Sequence, residues 1–223
     1  MNDQALLRRA QAVAPWAVDM RRQLHRVPEI ANREFKTQAL MVRALDELGI
    51  EHREAGTGVL GLIRGAASGP AIALRADIDA LPVTEPAGPF RSQHEGMMHA
   101  CGHDAHTAIA LGAGRLLHEA REHLAGDVRL IFQPAEEGPC GAADMIAAGA
   151  LSDPPVSAVY GLHVMPHLPF GAIETRAGAL NAACDTLTLR IVGRSGHGAY
   201  PERNADAIVC AAQVISAMQT LVS

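Results

Sequence analysis

The sequence predicts an α/β fold in which a mostly parallel sheet is flanked by helices. Short apolar runs bounded by glycine or proline indicate strands, and they alternate with amphipathic stretches that indicate helices. This alternation is typical of strand–helix–strand units, whose strands pair in parallel. The composition agrees, because 48% of the 223 residues are hydrophobic and 19% are charged, as in ordinary globular domains.

Two helices are predicted at the start of the chain. Apolar residues recur at steps of three and four over residues 6–24, and the pattern ends near Pro28. A second helix is expected over residues 34–48, with Gly49 as its stop. Between them lie His25 and Glu29, which we expect to form a helix-end salt link outside any functional site.

The predicted strands cover residues 59–63, 71–74, 128–132 and 158–162. Further helices are expected over residues 107–124 and 145–148, the first with Asp104 as its N-cap. Three of the strands are followed by residues that can bind metals: Asp77 and Asp79, Glu136 and Glu137, and His163. Ligands of open α/β sheets bind at the carboxyl ends of the strands, so these residues are predicted to meet at one edge.

The pattern changes after about residue 181. Residues 186–192 alternate with period two, as in a half-exposed strand, and residues 205–221 are predicted to be helical. We therefore expect a catalytic domain over residues 1–180 and the beginning of a small α+β domain over 181–223. One strand and one helix cannot close a core, so the second domain is expected to be incomplete.

A cysteine and a histidine separated by one glycine, Cys101 and His103, are the strongest chemical signal. Thiolate and imidazole together are ligands of zinc and related metals. Such a pair alone is weak evidence, but it is joined here by Glu136, Glu137 and His163. The glutamate pair in isolation reads as a solvated turn, and His163 as a histidine capping a strand end. Together, the five residues predict a metal site.

Neighbouring residues of an extended strand point in opposite directions, so one glutamate of the pair can bind metal while the other acts as a base. Asp77 and Asp79 share a face and are candidates to orient ligand imidazoles. His99 and His106 are expected either to support the ligands or to start a helix.

Several functions are excluded by composition and motifs. A net charge of −5 and 3% aromatic residues argue against nucleic-acid binding. The sequence has neither an apolar run of about 18 residues nor a signal peptide, so we expect no membrane partner, a cytoplasmic location and reduced cysteines. The H-E-x-x-H, zinc-deaminase and G-x-S-x-G motifs are absent.

Six motifs resemble, in the same order, those of the M20 metallopeptidase family. They are L-H-x-x-P-E at 24–29, R-A-D-I-D-A-L-P at 75–82, M-H-A-C-G-H-D-A-H-T at 98–107, F-Q-P-A-E-E-G at 132–138, G-L-H at 161–163 and G-R-S-G-H-G at 193–198. The resemblance is to the amidohydrolase subgroup of hippurate hydrolase, N-acyl-amino-acid amidohydrolases and auxin-conjugate hydrolases, and it covers essentially the whole chain.

This resemblance implies a zinc-exopeptidase-like catalytic domain with two divalent ions, which would be zinc, manganese, nickel or cobalt. The roles it implies are metal ligation by Cys101, His103, Glu137 and His163, general-base catalysis by Glu136, orientation of a ligand by Asp79, and substrate binding by His197. His197 would lie in a lid domain that forms a homodimer and reaches the partner's active site.

The implied activity is hydrolysis of N-acyl or N-aroyl amino acids to a carboxylic acid and a free amino acid. One alternative is a di- or aminoacyl peptidase of the family; the related carboxypeptidases and desuccinylases usually carry His at the Asp77 position and Asp in place of Cys101. Family members also run on past residue 223, so a C-terminally truncated, inactive metal-binding fragment is the other alternative. Val27 and Ala105 depart from the family pattern without touching the implied ligands.

Overall fold

The computed structural model describes residues 3–181 and 186–221. The chain divides into two units, Met1–His167 and Leu168–Ser223, and each is described by itself. The described elements of the first unit are α1 (Asp3–Arg26), α2 (Phe35–Leu48), β1 (Glu51–Ala55), β2 (Gly58–Ile63), β3 (Ala71–Asp77), α3 (His103–Glu119), β4 (Val128–Gln133), α4 (Gly141–Ala147) and β5 (Val156–Gly161).

The strands form one mixed sheet in the order β1-β2-β4-β3-β5. β3 pairs in parallel with both β4 and β5, whereas β2 is antiparallel to both β1 and β4. Only β2 is therefore reversed relative to the other described strands, and the predicted α/β class is confirmed. The β1–β2 hairpin was not predicted, because the sequence of β1 is E-H-R-E-A with mostly exposed side chains and lacks hydrophobic alternation.

Alternate side chains of β4 enter two separate cores, as the pleat of a strand requires. Leu130 and Phe132 pack with helical residues on one face, and Ile131 packs with Met145 of α4 on the other. The first core includes fully buried leucines from each of the three longest helices: Leu24, Leu45 and Leu111. Each such leucine contributes about 2 kcal/mol, so this face fixes α3 against the sheet.

The predicted roles of His25, Glu29 and Asp104 are wrong. His25 Nδ1 lies 2.7 Å from Asp104 Oδ2 and its Nε2 lies 2.8 Å from Glu85 Oε1, while Glu29 accepts hydrogen bonds from backbone N–H groups in the first turn of α2. Asp104 lies inside the first turn of α3, whose N-cap is Gly102. The partner of His25 is 79 residues away in the sequence, beyond the reach of a local pattern.

Glu34 links the start of α2 to the end of β4. Its carboxylate is fully buried, and it accepts hydrogen bonds from Thr57 Oγ1 at 2.6 Å and from the Ala135 backbone N–H at 2.9 Å. Ala135 has a positive φ of 49°, which an alanine adopts only when its surroundings enforce it. Because Glu136 follows directly, Glu34 helps to fix the turn that carries the glutamate pair.

The second unit contains α5 (Ala207–Met218), which begins after Asp206. Asp206 Oδ1 accepts hydrogen bonds from two N–H groups of the first turn, as an N-cap does. The strand predicted at 186–192 is wrong: this segment has no regular secondary structure, and its apolar residues Leu187, Leu189 and Val192 are exposed. A strand needs a hydrogen-bonded neighbour, and no described segment pairs with this one.

None of the described helices combines the length and the apolar character needed to cross a bilayer. The described cysteines, Cys101, Cys140 and Cys210, are free thiols. Cys184 lies outside the described residues.

Replacing Glu34 with alanine is expected to lower the free energy of unfolding by about 1–3 kcal/mol, because the Ala135 N–H and the Thr57 hydroxyl lose their buried acceptor. Glu34→Gln should retain most of the stability, because its amide oxygen can accept from Ala135 while its NH₂ group donates to the Thr57 oxygen. Urea denaturation measures both values.

The matched control is Glu47→Ala on an exposed position of the same helix, which should change the unfolding free energy by less than about 0.5 kcal/mol. Similar losses in Glu34→Ala and Glu47→Ala would contradict the buried link.

Candidate metal centre

Three neighbouring parallel strands deliver polar residues to one edge of the sheet. Asp77 is the last residue of β3, Glu136 and Glu137 follow β4, and His163 follows β5. The carboxyl ends of parallel strands lie together, so residues up to 86 positions apart become neighbours. The N-terminus of α3 supplies His103 at the same edge.

His103 lies at the centre of these residues. Its Nε2 atom is 3.9 Å from Glu136 Oε2 and 4.0 Å from Glu137 Oε1, and Cys101 Sγ lies 3.4 Å from His163 Nε2. Among the described residues, three groups have ligand atoms within 4.8 Å of one another: Cys101, His103 and His163; His103, Glu136 and Glu137; and Asp77, His103 and His106. The structure thus brings together all four of the predicted ligands and the predicted base.

The orientation of His103 is set by Asp79. His103 Nδ1 lies 3.1 Å from Asp79 Oδ1, and both side chains are buried. The second carboxylate oxygen of Asp79 accepts a hydrogen bond from the Glu137 backbone N–H at 2.9 Å. Asp79 therefore holds a candidate ligand on α3 and the turn that carries another, as carboxylates supporting metal ligands do.

A divalent metal ion fits the donors at this edge. His103 Nε2 is buried and has no hydrogen-bond partner among the described residues, and a buried polar atom without a partner is costly. Burial, with the nearby Glu137 carboxylate, raises the pKa of the Cys101 thiol to about 12; a cation would be needed to hold it as thiolate. Sulfur, imidazole and carboxylate donors match zinc and its first-row neighbours.

Charges around His103 favour its protonated form when no metal is bound. Burial opposes protonation, but the hydrogen bond to Asp79 and the charges of Asp77 and Glu136 outweigh it and raise the pKa of His103. Such a concentration of negative charge beside a buried imidazole is the electrostatic setting in which a cation is stabilised.

A second carboxylate–imidazole pair lies beside the first. Asp77 Oδ1 is 2.6 Å from His106 Nδ1, and Asp77 Oδ2 is 2.8 Å from Arg75 Nη1. Burial opposes ionisation of Asp77, but the hydrogen bond from His106 and the charges of His103 and Arg75 lower its pKa to about 2. The signal for His106 in the sequence was its spacing of three from His103, which places both on one helix face.

A buried network lies behind the ligands. Asp104 Oδ2 lies 2.7 Å from His25 Nδ1 and 2.8 Å from Arg21 Nε. The hydrogen bond between His25 and Asp104 raises the pKa of His25. His99 is also buried, with neither ring nitrogen paired among the described residues, and burial lowers its pKa to about 4. Sequence reasoning missed the joining of His25 to Asp104 because nothing local relates them.

His197 belongs to the second unit. Its Nδ1 accepts a hydrogen bond from the Ala199 N–H at 3.1 Å, and its carbonyl accepts from Asn204 Nδ2 at 3.3 Å. The side chain is exposed and its ring lies 5.6 Å from that of Tyr200. Its substrate-binding role stays a prediction.

The chain is similar to known proteins. An N-acetyl-L-cysteine deacetylase of Bacillus subtilis is 47% identical over 209 residues, covering 92% of this chain and 50% of that protein. An IAA-amino acid hydrolase of Arabidopsis thaliana is 44% identical over 214 residues, covering 95% of this chain and 48% of that protein.

A solved structure is also similar. The Bacillus subtilis YXEP protein, described as a dinuclear metal-binding peptidase of the M20 family, has a TM-score of 0.69 at 46% identity over 72% of this chain and 46% of its own. The chain thus spans about half the length of these relatives. The profile of "Peptidase family M20/M25/M40" matches residues 73–222, and the chain belongs to this family.

Proposed function

We propose that the chain carries the metal centre of an amidohydrolase that cleaves N-acyl or N-aroyl amino acids to a carboxylic acid and a free amino acid. The observation that carries the proposal is that Cys101, His163 and a glutamate pair meet at His103, whose buried Nε2 has no hydrogen-bond partner in the part of the chain that the structure describes. The names of the relatives support the substrate class, since N-acetylcysteine and indoleacetyl amino acids are both N-acyl amino acids.

Cys101, His103, Glu137 and His163 would hold two divalent ions. When bound, such ions lower the pKa of a water molecule and polarise the carbonyl of the scissile amide. Which metal is used, a homodimer through the second unit and a cytoplasmic location stay predictions from the sequence.

The protein's own contribution to catalysis would come from Glu136. Its side chain is 41% exposed, so it can face a substrate, and its carboxylate lies within about 4 Å of the His103 nitrogen. Glu136 would take the proton of the attacking water on one carboxylate oxygen and deliver it to the departing amine nitrogen. Asp79 keeps His103 and the Glu137 turn in place during the reaction, through the contacts described above.

A panel of substrates tests the proposed activity. The 223-residue chain is assayed with N-acetyl amino acids, N-benzoylglycine, indoleacetyl amino acids and dipeptides, each with zinc, manganese, nickel or cobalt. We expect metal-dependent release of free amino acid from the N-acyl compounds. Cleavage of dipeptides alone would favour a peptidase, and metal binding without any turnover would favour an inactive metal-binding fragment.

Glu136→Gln is expected to lower turnover by a factor of about 10²–10⁴, because the amide cannot accept the proton of water. Metal content by elemental analysis should be unchanged. The matched control is Glu122→Gln at an exposed position, which should retain full activity. Retained activity in Glu136→Gln would remove this residue from the base role.

Cys101→Ser is expected to weaken zinc binding by more than about tenfold, because a neutral hydroxyl is a poorer ligand for zinc than a thiolate. Equilibrium dialysis with elemental analysis measures the change. Cys210→Ser, at an exposed position of α5, serves as the control and should bind zinc like the unaltered chain. Equal zinc affinity in the two variants would exclude Cys101 as a ligand.

A further inference from the structure

His106 is buried between two segments that carry candidate ligands. Its side chain is 1% exposed. On one side its Nδ1 lies 2.6 Å from Asp77 Oδ1 at the end of β3, and on the other its Nε2 lies 2.9 Å from the backbone nitrogen of Val164, next to His163. The imidazole therefore bridges the end of one strand to the segment that follows another.

These two contacts fix the protonation state of the ring. The Val164 backbone N–H can only donate, so His106 Nε2 must be the unprotonated acceptor. The remaining proton lies on Nδ1 and is donated to Asp77, which Arg75 helps to keep ionised. His106 is then a neutral imidazole in a single tautomer.

The same contacts argue against metal ligation by His106 itself, although its ring belongs to one of the three close groups. A ligand nitrogen needs a free lone pair. Nδ1 carries the proton that it gives to Asp77, and the lone pair of Nε2 is used by the Val164 N–H. Neither nitrogen of His106 therefore has a free lone pair for a metal ion.

Val164 is also packed against the turn between the two sequence-adjacent ligands. Gly102 has a φ of +88° and lies so close to Val164 that a Cβ at this position would overlap the Cγ2 methyl of the valine. Only glycine fits here. The segment after β5 is therefore held onto the 101–103 turn by packing as well as by the hydrogen bond to His106.

His163 depends on the position of Val164. Its Nδ1 lies 2.7 Å from the Val164 carbonyl oxygen, which leaves Nε2 facing Cys101 Sγ at 3.4 Å. The rings of His163 and His106 meet edge to face, with centroids 4.5 Å apart. His163 is exposed and follows the last residue of β5 by two positions, so the strand alone does not fix it.

We infer that His106 is a positioning residue: by joining Asp77 to the Val164 amide, it holds the His163 imidazole against Cys101. The inference deepens the proposed function, on which it rests for the identity of His163 and Cys101 as metal ligands. The bridge itself is a property of the chain without metal, so the inference and the proposed function can fail separately.

Paired substitutions separate positioning from simple packing. The amide oxygen of His106→Gln can reach the place of Nε2 and accept from Val164, whereas the shorter His106→Asn can reach only Asp77. We expect zinc binding to weaken by about 10–100-fold in His106→Asn, and by clearly less in His106→Gln. His118→Gln, on the same helix and away from the centre, is the control and should bind zinc normally.

Zinc affinity is measured by competition titration, and thermal unfolding verifies that each variant is folded. His106→Leu has a side chain of about the size of the Gln side chain but cannot accept a hydrogen bond from Val164. A role in packing alone predicts equal zinc affinity in the Leu and Gln variants, so equal affinity in these two would overturn the inference. Unchanged affinity in His106→Asn would overturn it as well.

A metal-free measurement keeps the inference testable whatever the chain does with zinc. Long-range ¹H–¹⁵N spectra of the chain labelled with ¹⁵N-histidine should show His106 as the neutral Nδ1–H tautomer. The signals of His106 are assigned as those that are missing from the spectrum of His106→Gln. The Val164 amide should exchange with solvent at least about tenfold faster in His106→Asn than in the unaltered chain. An Nε2–H tautomer, or unchanged exchange in His106→Asn, would overturn the bridge; failure to bind zinc with the bridge intact would count against the proposed function alone.

Discussion

The contact between Asp79 and His103 is the interaction on which the rest of the centre depends. The two residues come from different elements, the extension of β3 and the first turn of α3, and both are buried. Because Asp79 takes Nδ1, the other nitrogen of His103 faces Cys101, the glutamate pair and Asp77. The second oxygen of Asp79 holds the Glu137 backbone, so one carboxylate aligns donors that arrive from three parts of the chain.

The centre is supported by a match between two periodicities. Asp77 and Asp79 are two residues apart on an extended segment and share a face, while His103 and His106 are three residues apart on a helix and share another. Each aspartate therefore meets one histidine. The Asp79–His103 pair orients a candidate ligand directly. The Asp77–His106 pair acts on the segment after β5 through the Val164 backbone amide. A single strand and a single helix turn thus organise two sides of the same centre.

Sequence patterns were sufficient to predict those strands that form from a continuous apolar run. Apolar runs predicted β2, β3, β4 and β5, and the residues after three of them were predicted to meet because parallel strands share a carboxyl edge. The patterns failed for β1, which is charged and mostly exposed, and for residues 186–192, where alternation exists without a pairing partner among the described residues. A period-two pattern describes a surface that suits a strand, but pairing decides whether one forms.

Side-chain partners were harder to predict than elements. His25 and Glu34 contact residues that are 79 and 101 positions away in the sequence. No regular spacing of residues in the sequence indicates either contact. The role of His106 was visible only in part, because its spacing from His103 indicates a shared face but not a backbone amide brought by β5. The structure places Cys101, His103 and His163 close together, and the glutamate pair beside His103. The roles given to these residues by the family resemblance stay predictions.

The membership of His103 in all three close groups has a consequence for how the centre can fill. Its Nε2 atom has one electron pair to give, so the groups are alternative uses of a single nitrogen, and the group that contains His106 is excluded because both nitrogens of that ring are engaged. An ion that captures this pair leaves the other positions to be completed by thiolate, carboxylate or water. A second ion at this edge would therefore have to be held without His103.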